Sequence, residues 1–253
     1  MTATPDTMSY GEFLALDRIL DAQHMHSDVH DELLFIIIHQ TKELWLKQIL
    51  YEVKYATDLL RQDKFTLVHK ALSRVSRIQT VMTLSWDILA TLTPADYMRF
   101  RHVFGSASGF QSVQFREVEY RLGIKHPQFL ENYEEGSEDR ARLEEALHAP
   151  SLWDEAVEAV GRAGFPVSND NEIRDAWLRV YLDTEAHPDL YGLAEKLIDL
   201  DDALAAWRHK HILTVERVIG QKRGSGGSAG SAYLRTTLDK RAFPALWDLR
   251  TDI

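Results

Sequence analysis

The chain of 253 residues contains no cysteine, and this absence excludes several chemistries at once. Disulfide bonds, zinc–thiolate sites, iron–sulfur clusters and thiolate-ligated haem all require cysteine sulfur. Any metal bound by this protein must therefore rely on histidine, carboxylate or carbonyl ligands.

Glycine and proline are also scarce, with 13 and 7 residues, which is too few for a disordered or fibrous chain. The 45 % hydrophobic content and six tryptophans predict a globular protein with a substantial core.

The longest uninterrupted apolar run, Leu33 to Ile38, is far shorter than the ~20 residues that a membrane span needs. Residues 1–9 are polar and carry no signal-like apolar segment. We therefore expect a cytoplasmic protein with no membrane partner.

Basic residues are fewer than acidic ones. The 29 lysines and arginines stand against 39 aspartates and glutamates, giving a net charge of −10, and no long basic run is present. Because phosphate backbones are bound by clustered lysine and arginine, we expect no nucleic-acid partner.

Apolar residues spaced by three and four positions predict helices through most of the chain, and strand-like alternation is nearly absent. The predicted helices cover about residues 31–63, 64–91, 93–105, 112–122, 152–163 and 190–220, with an irregular connection at about 164–171. No internal repeat and no domain boundary is evident. The sequence therefore predicts a single all-α domain over residues 1–253.

One histidine lies on the apolar seam of the last long helix. This seam passes through Leu197, Leu200, Leu204, Trp207, His211, Val215 and Val218. His209 lies off the seam. An unpaired buried imidazole costs a few kcal/mol, so His211 needs a partner. Judged from the position of His211 alone, the ordinary partner would be a carboxylate or a backbone carbonyl. The alternative partner is a metal, and the remaining candidate residues favour it.

His39 is a second histidine predicted to be buried, because six apolar residues precede it. Phe35 lies one helical turn earlier on the same face. Two buried histidines on different helices suggest a shared site. The alternative is that His39 only hydrogen-bonds a neighbouring helix.

Tyr97 and Arg101 are four residues apart on a predicted short helix, so both should point the same way. A guanidinium there is suited to bind a carboxylate with two parallel hydrogen bonds. The alternative is a surface ion pair.

The glycine-rich segment 220–232 lacks the order of a phosphate-binding loop and follows a helix, so it is interpreted as a mobile lid or a plain linker.

Six stretches in collinear order resemble the tryptophan 2,3-dioxygenase family, the haem enzymes that open the indole ring of tryptophan. The stretches are Tyr10–Leu14, His30–Gln40, Tyr97–Arg101, Ser108–Ser112, Trp207–His211 and Lys222–Gly227. Only residues from about 125 to 189 match loosely.

This resemblance implies an all-α helical bundle that encloses haem b, with O₂ as co-substrate and a tryptophan-type substrate. It implies that His211 is the axial ligand of haem iron, with Trp86 near the haem. His39 would lie beside the indole N–H as a catalytic positioning group, because a histidine with an ordinary pKa is a poor base for that proton.

The resemblance also assigns residues to the rest of the substrate. Those assigned to substrate binding are Arg101 at the carboxylate, Ser225 at the ammonium group, and Tyr97, Phe35, Ser108 and Phe104 along the pocket. Family members are homotetramers, so the segment 1–26 would reach a neighbouring subunit and bring Tyr10 and Phe13 to its pocket.

Three of these positions depart from the family pattern. Ser225 replaces a usual threonine, Phe13 a usual tyrosine and Phe104 a usual leucine. These changes suggest a substituted substrate such as β-methyl-tryptophan. The alternative is that they are ordinary variation within the family. The same residues are also compatible with a monooxygenase that forms a 2-oxindole, with a non-catalytic haem or ligand sensor, and with a helical interaction protein that binds no cofactor.

Overall fold

The computed structural model describes residues 8–253, and within this range all regular secondary structure is helical, as the sequence predicts. The α-helices are α1 (Tyr10–Leu14), α2 (Leu16–Leu20), α3 (Asp31–Leu60), α4 (Phe65–Leu89), α5 (Pro94–Phe100), α6 (Val113–Leu122), α7 (Glu138–His148), α8 (Leu152–Arg162), α9 (Asp170–Leu182), α10 (Pro188–Ile219), α11 (Ser231–Arg235) and α12 (Pro244–Asp248). Short 3₁₀ helices span Arg101–Phe104, Gly109–Gln111, Pro127–Asn132 and Leu249–Thr251.

Three long helices form the centre of the fold. Helix α4 packs along both α3 and α10, and these helices contain 25, 30 and 32 residues respectively. At 1.5 Å per residue, α10 is about 48 Å long. Such lengths allow one helix to contribute both to a packed core and to a cavity beside it.

The apolar interior is divided into two clusters of buried side chains. The larger cluster joins α3, α4, α8, α9, α10 and the C-terminal segment, with Trp177 and Phe243 fully buried in it. The second cluster gathers around Phe35, Trp86 and Phe100 near the start of α3 and the ends of α4 and α10. Trp207 packs against both clusters. The long helices thus leave a junction between the clusters, and the candidate site lies at this junction.

Helix α5 begins as the sequence predicts but ends earlier. The Thr93 side chain caps it by accepting a hydrogen bond from the Asp96 amide, with Pro94 at the first helical position. The backbone tightens into a 3₁₀ helix at Arg101 and stops at Gly105, whose φ of 55° favours glycine. Arg101 still closes an α-helical turn on Tyr97, because its amide donates a hydrogen bond to the Tyr97 carbonyl.

Among the helices of residues 8–253, none has the length and hydropathy of a membrane span.

Candidate active site

A cavity of about 270 Å³ lies where the two apolar clusters meet. Its walls come from α3, α4, α6 and α10, and the glycine-rich loop after α10 covers part of it. The lining is mostly apolar, with a few polar side chains that include both predicted histidines. Such a lining is typical of sites for small molecules and cofactors.

His211 faces this cavity from α10, as the seam predicts, whereas His209 is exposed. Neither ring nitrogen of His211 has a hydrogen-bond partner among residues 8–253. Instead the imidazole lies flat against the Trp86 indole, with ring centroids 4.4 Å apart and planes inclined by 8°. Burial, together with the nearby Lys42 and His39, lowers the pKa of His211 to about 3. The ring is therefore neutral at physiological pH, which is the form that binds metals.

His39 lines the same cavity from α3. Its Nδ1 lies 2.7 Å from the Phe35 carbonyl oxygen, one turn earlier. A carbonyl can only accept, so Nδ1 carries the proton and donates it, and Nε2 is left with a free lone pair. Burial lowers the pKa of His39 to about 4, so the ring stays neutral. Nε2 can therefore accept a hydrogen bond from a ligand N–H group.

Aromatic rings line the cavity next to His39. Phe35 packs on His39 at a centroid distance of 4.1 Å and stacks on Phe104 at 4.7 Å. Tyr97 lies 6.1 Å from Phe35 and is buried, which raises the pKa of its hydroxyl. Ser108 lines the cavity nearby. Phe35, Tyr97 and Ser108 thus line a largely apolar part of the cavity, whereas Phe104 packs on Phe35 without lining the cavity itself. That these four residues bind a substrate stays a prediction.

Arg101 lies beside this cavity but does not line it. It borders a second pocket together with Met98, and its guanidinium donates a hydrogen bond to the backbone carbonyl of Arg223 in the glycine-rich loop. Gly224 and Ser225 line both pockets. The loop therefore separates Arg101 from the main cavity, and movement of residues 223–225 would join the two spaces.

Tyr10 and Phe13 are both on α1, with exposed fractions of 76 % and 75 %. They do not line this chain's own cavity. The Ser9 side chain and Glu12 form a capping box that fixes the short helix. The contact of Tyr10 and Phe13 with a neighbouring subunit stays a prediction.

Sequence reasoning missed a charged wall of the cavity. Glu119 accepts hydrogen bonds from Arg116 on its own helix and from Arg208 on α10, the latter at 2.7 Å between Nη2 and Oε1. Arg208 also donates to the Lys240 carbonyl at 2.6 Å. Both arginines are buried, and each is paired, as buried charges must be. Charged residues on the apolar face of α6 were the available signal.

Lys42, on α3, was also missed. Its side chain is buried and lies over the Trp86 ring, with Nζ 2.9 Å from the ring centroid. Burial lowers the pKa of this ammonium group to about 6.

The fold and cavity together define a helical protein with a largely apolar cavity, which is bordered by two neutral histidines and by aromatic side chains. The sequence model of the family "Tryptophan 2,3-dioxygenase" matches residues 2–177 and 169–253. This chain belongs to the tryptophan 2,3-dioxygenase family.

Curated relatives agree with this assignment. The chain is 54 % identical to the tryptophan 2,3-dioxygenase of Caulobacter vibrioides, over 97 % of this chain and 98 % of that protein. It is 51 % identical to the Bacillus thuringiensis protein of the same name, over 98 % of this chain and 94 % of the relative. Identity to the Ralstonia pickettii tryptophan 2,3-dioxygenase is 47 %, over 98 % and 94 % respectively.

Proposed function

We propose that this protein is a haem-dependent dioxygenase that inserts both atoms of O₂ across the indole C2–C3 bond of L-tryptophan, giving N-formylkynurenine. The observation that carries the proposal is His211, a neutral imidazole on the cavity wall with no hydrogen-bond partner among the described residues. A histidine in this state would hold the iron of haem b through a ring nitrogen. A carboxylate-bonded core histidine is disfavoured, because no carboxylate within residues 8–253 bonds the ring.

Trp86 would lie near the cofactor and hold the plane of the His211 ring through their stacking. Haem, when bound, supplies the redox chemistry of O₂. The protein would supply orientation and a largely apolar cavity. Correct orientation alone can account for several kcal/mol of an activation barrier.

The indole ring would occupy the aromatic pocket formed by Phe35, Tyr97 and Phe104. There Nε2 of His39 would accept a hydrogen bond from the indole N–H, because Nδ1 is already bonded to Phe35. With a pKa of about 4, His39 is too weak a base to remove the indole proton outright. We therefore assign it a positioning role.

The amino-acid end of the substrate would be held at the glycine-rich loop. Arg101 would bind the carboxylate once it releases the Arg223 carbonyl, and the Ser225 hydroxyl would accept from the ammonium group. We propose that the loop 220–232 is a lid that moves for this exchange.

We further propose that the chain is a single domain that functions as a homotetramer, with segment 1–26 reaching a neighbouring subunit. Residues 1–7 of that segment lie outside the described residues. Exposed apolar side chains support an interface, since contiguous apolar patches mark interaction sites. They include Tyr10 and Phe13 on α1, Leu44, Tyr51 and Tyr55 on α3, and Leu84 and Ile88 on α4.

The test is to load the protein with haem, reduce it anaerobically, add O₂ and measure the masses of the products from tryptophan and from β-methyl-tryptophan. Gain of two oxygen atoms from tryptophan supports the proposal, whereas gain of one identifies the 2-oxindole-forming monooxygenase. Haem binding without O₂ consumption on any indole would make the protein a sensor. A colourless protein after haem supplementation would reject the cofactor.

A further inference from the structure

Lys42 is a buried amine without a hydrogen-bond acceptor in residues 8–253. It is three residues after His39 on α3, lines the cavity and is only 6 % exposed. Its Nζ is buried and makes no hydrogen bond to the described residues. The Trp86 ring beneath it provides a cation–π contact, but this uses only one side of the ammonium group. Lysine is almost never fully buried unless it is paired.

Two neighbouring groups share this deficiency. The indole Nε1 atoms of Trp86 and Trp207 are also buried and have no acceptor within the described part of the chain. Both rings line the same cavity as Lys42. All three groups are donors, so what this wall needs is a ligand that brings acceptor atoms, preferably with negative charge.

The remaining buried cations at the cavity are already satisfied. Arg116 and Arg208 share the Glu119 carboxylate, and Arg208 also binds a backbone carbonyl. Glu43, next to Lys42 in the sequence, accepts instead from Ser112 and Gln114, at 2.7 and 2.8 Å. No carboxylate of the described residues is therefore left for Lys42.

We propose that Lys42 is the counter-charge for a carboxylate of the cavity's ligand, and that this carboxylate is a propionate of haem. The inference rests on the proposed function, because that function requires haem, and haem carries two propionates. Tryptophan also carries a carboxylate, but Arg101 borders the separate pocket proposed to receive it. A propionate beside Lys42 would accept a hydrogen bond that no described residue accepts, and it would favour the charged ammonium form that burial alone disfavours.

The matched test compares haem with its dimethyl ester, in which both propionate charges are absent. Haem-free protein is titrated with each, using the wild type, Lys42→Met and, as a control on the exposed face of α3, Lys47→Met. A charge-assisted hydrogen bond is worth enough to change affinity by about 10- to 100-fold. We expect Lys42→Met to lower the affinity for haem by this factor and to leave the affinity for the ester within about 3-fold of the wild type. Lys42→Arg should restore most of the affinity for haem.

Haem-free stability supplies a second measurement. Methionine has nearly the volume of lysine and no charge, so Lys42→Met should unfold at the same or a higher temperature than the wild type. Tryptophan affinity of the haem-loaded variant should stay within about 3-fold of wild type.

Several outcomes would overturn the inference. Equal weakening of haem and ester would mean that Lys42 only fills space, and unchanged haem affinity with lower haem-free stability would make it a structural partner of Trp86. Weaker tryptophan binding with unchanged haem binding would assign it to the substrate carboxylate. In each case wild-type haem binding leaves the proposed function standing, whereas a wild type that binds neither haem nor ester rejects both.

Discussion

The imidazole of His211 and the indole of Trp86 lie in nearly parallel planes, 4.4 Å apart at their centroids. Since no described residue hydrogen-bonds the imidazole, this stacking is what sets its orientation. Helices α4 and α10 thus place an aromatic surface against an imidazole that no described residue hydrogen-bonds.

Replacing His211 by alanine should remove haem binding while leaving the helical fold intact. The reason is that the imidazole proposed to hold the iron is lost from an otherwise unchanged cavity. The Soret band after haem titration measures this effect, and His209→Ala, an exposed histidine two positions away, is the control. A normal Soret band in His211→Ala would show that the iron ligand lies elsewhere.

Replacing His39 by alanine should reduce turnover of tryptophan by about 10- to 100-fold without loss of haem, because the hydrogen bond to the indole N–H disappears. The critical comparison uses 1-methyl-tryptophan, which has no indole N–H to donate. We expect the substitution to reduce turnover of that substrate much less. An equal reduction for both substrates would contradict the positioning role of Nε2.

The haem-free protein should lose stability as the pH falls from about 6.5 towards 4. The pKa values of His39 and His211 are about 4 and about 3 in the folded protein, against an ordinary value near 6.5 in the unfolded chain, so the unfolded state binds more protons in this window. Urea unfolding at pH 7 and pH 5 measures the change. His39→Gln should have a shallower pH dependence because only His211 of this pair then remains, and an identical slope would show that His39 does not contribute.

Gly226→Ala should raise the KM for tryptophan by displacing the lid. A Cβ atom at this position would lie 2.6 Å from the Ser108 Cβ, a distance that packed atoms do not tolerate. The double variant Gly226→Ala with Ser108→Gly removes the obstructing atoms and should recover part of the loss. Steady-state kinetics on both proteins decide the point, and no recovery would indicate that the loop fails for another reason.

Phe104→Leu should shift substrate preference between tryptophan and β-methyl-tryptophan. Phe104 stacks on Phe35 at 4.7 Å, so a smaller side chain changes the shape of the pocket that we assign to the substrate. Even a methylene-sized change in an apolar pocket alters discrimination by about 10- to 200-fold. The ratio of kcat/KM for the two substrates is the measurement. An unchanged ratio would mean that this departure is ordinary variation.

The long helices could be predicted because each has a periodic apolar face. The burial of His39 and His211 followed from their places among these apolar residues. Thr93 and Pro94 likewise indicated the start of α5. Helices α7 and α9 carry mixed faces that a single sequence does not separate from exposed loops. Lys42 gave no local signal, because lysine on a long helix normally faces solvent.

The contact between Arg101 and the Arg223 carbonyl lay beyond sequence reasoning for a different reason. These residues are 122 positions apart, and their meeting depends on how α5 and the loop after α10 are placed in space.

That contact has a consequence for selectivity. While the loop is closed, the guanidinium of Arg101 is occupied by the protein's own backbone, so any entering anion must compete with an internal acceptor. Chloride or acetate would form a weaker interaction with Arg101 than the proposed substrate, whose carboxylate would bind in a bidentate manner while its ring occupied the aromatic pocket. The closed loop thereby acts as an intramolecular competitor that disfavours weak anions.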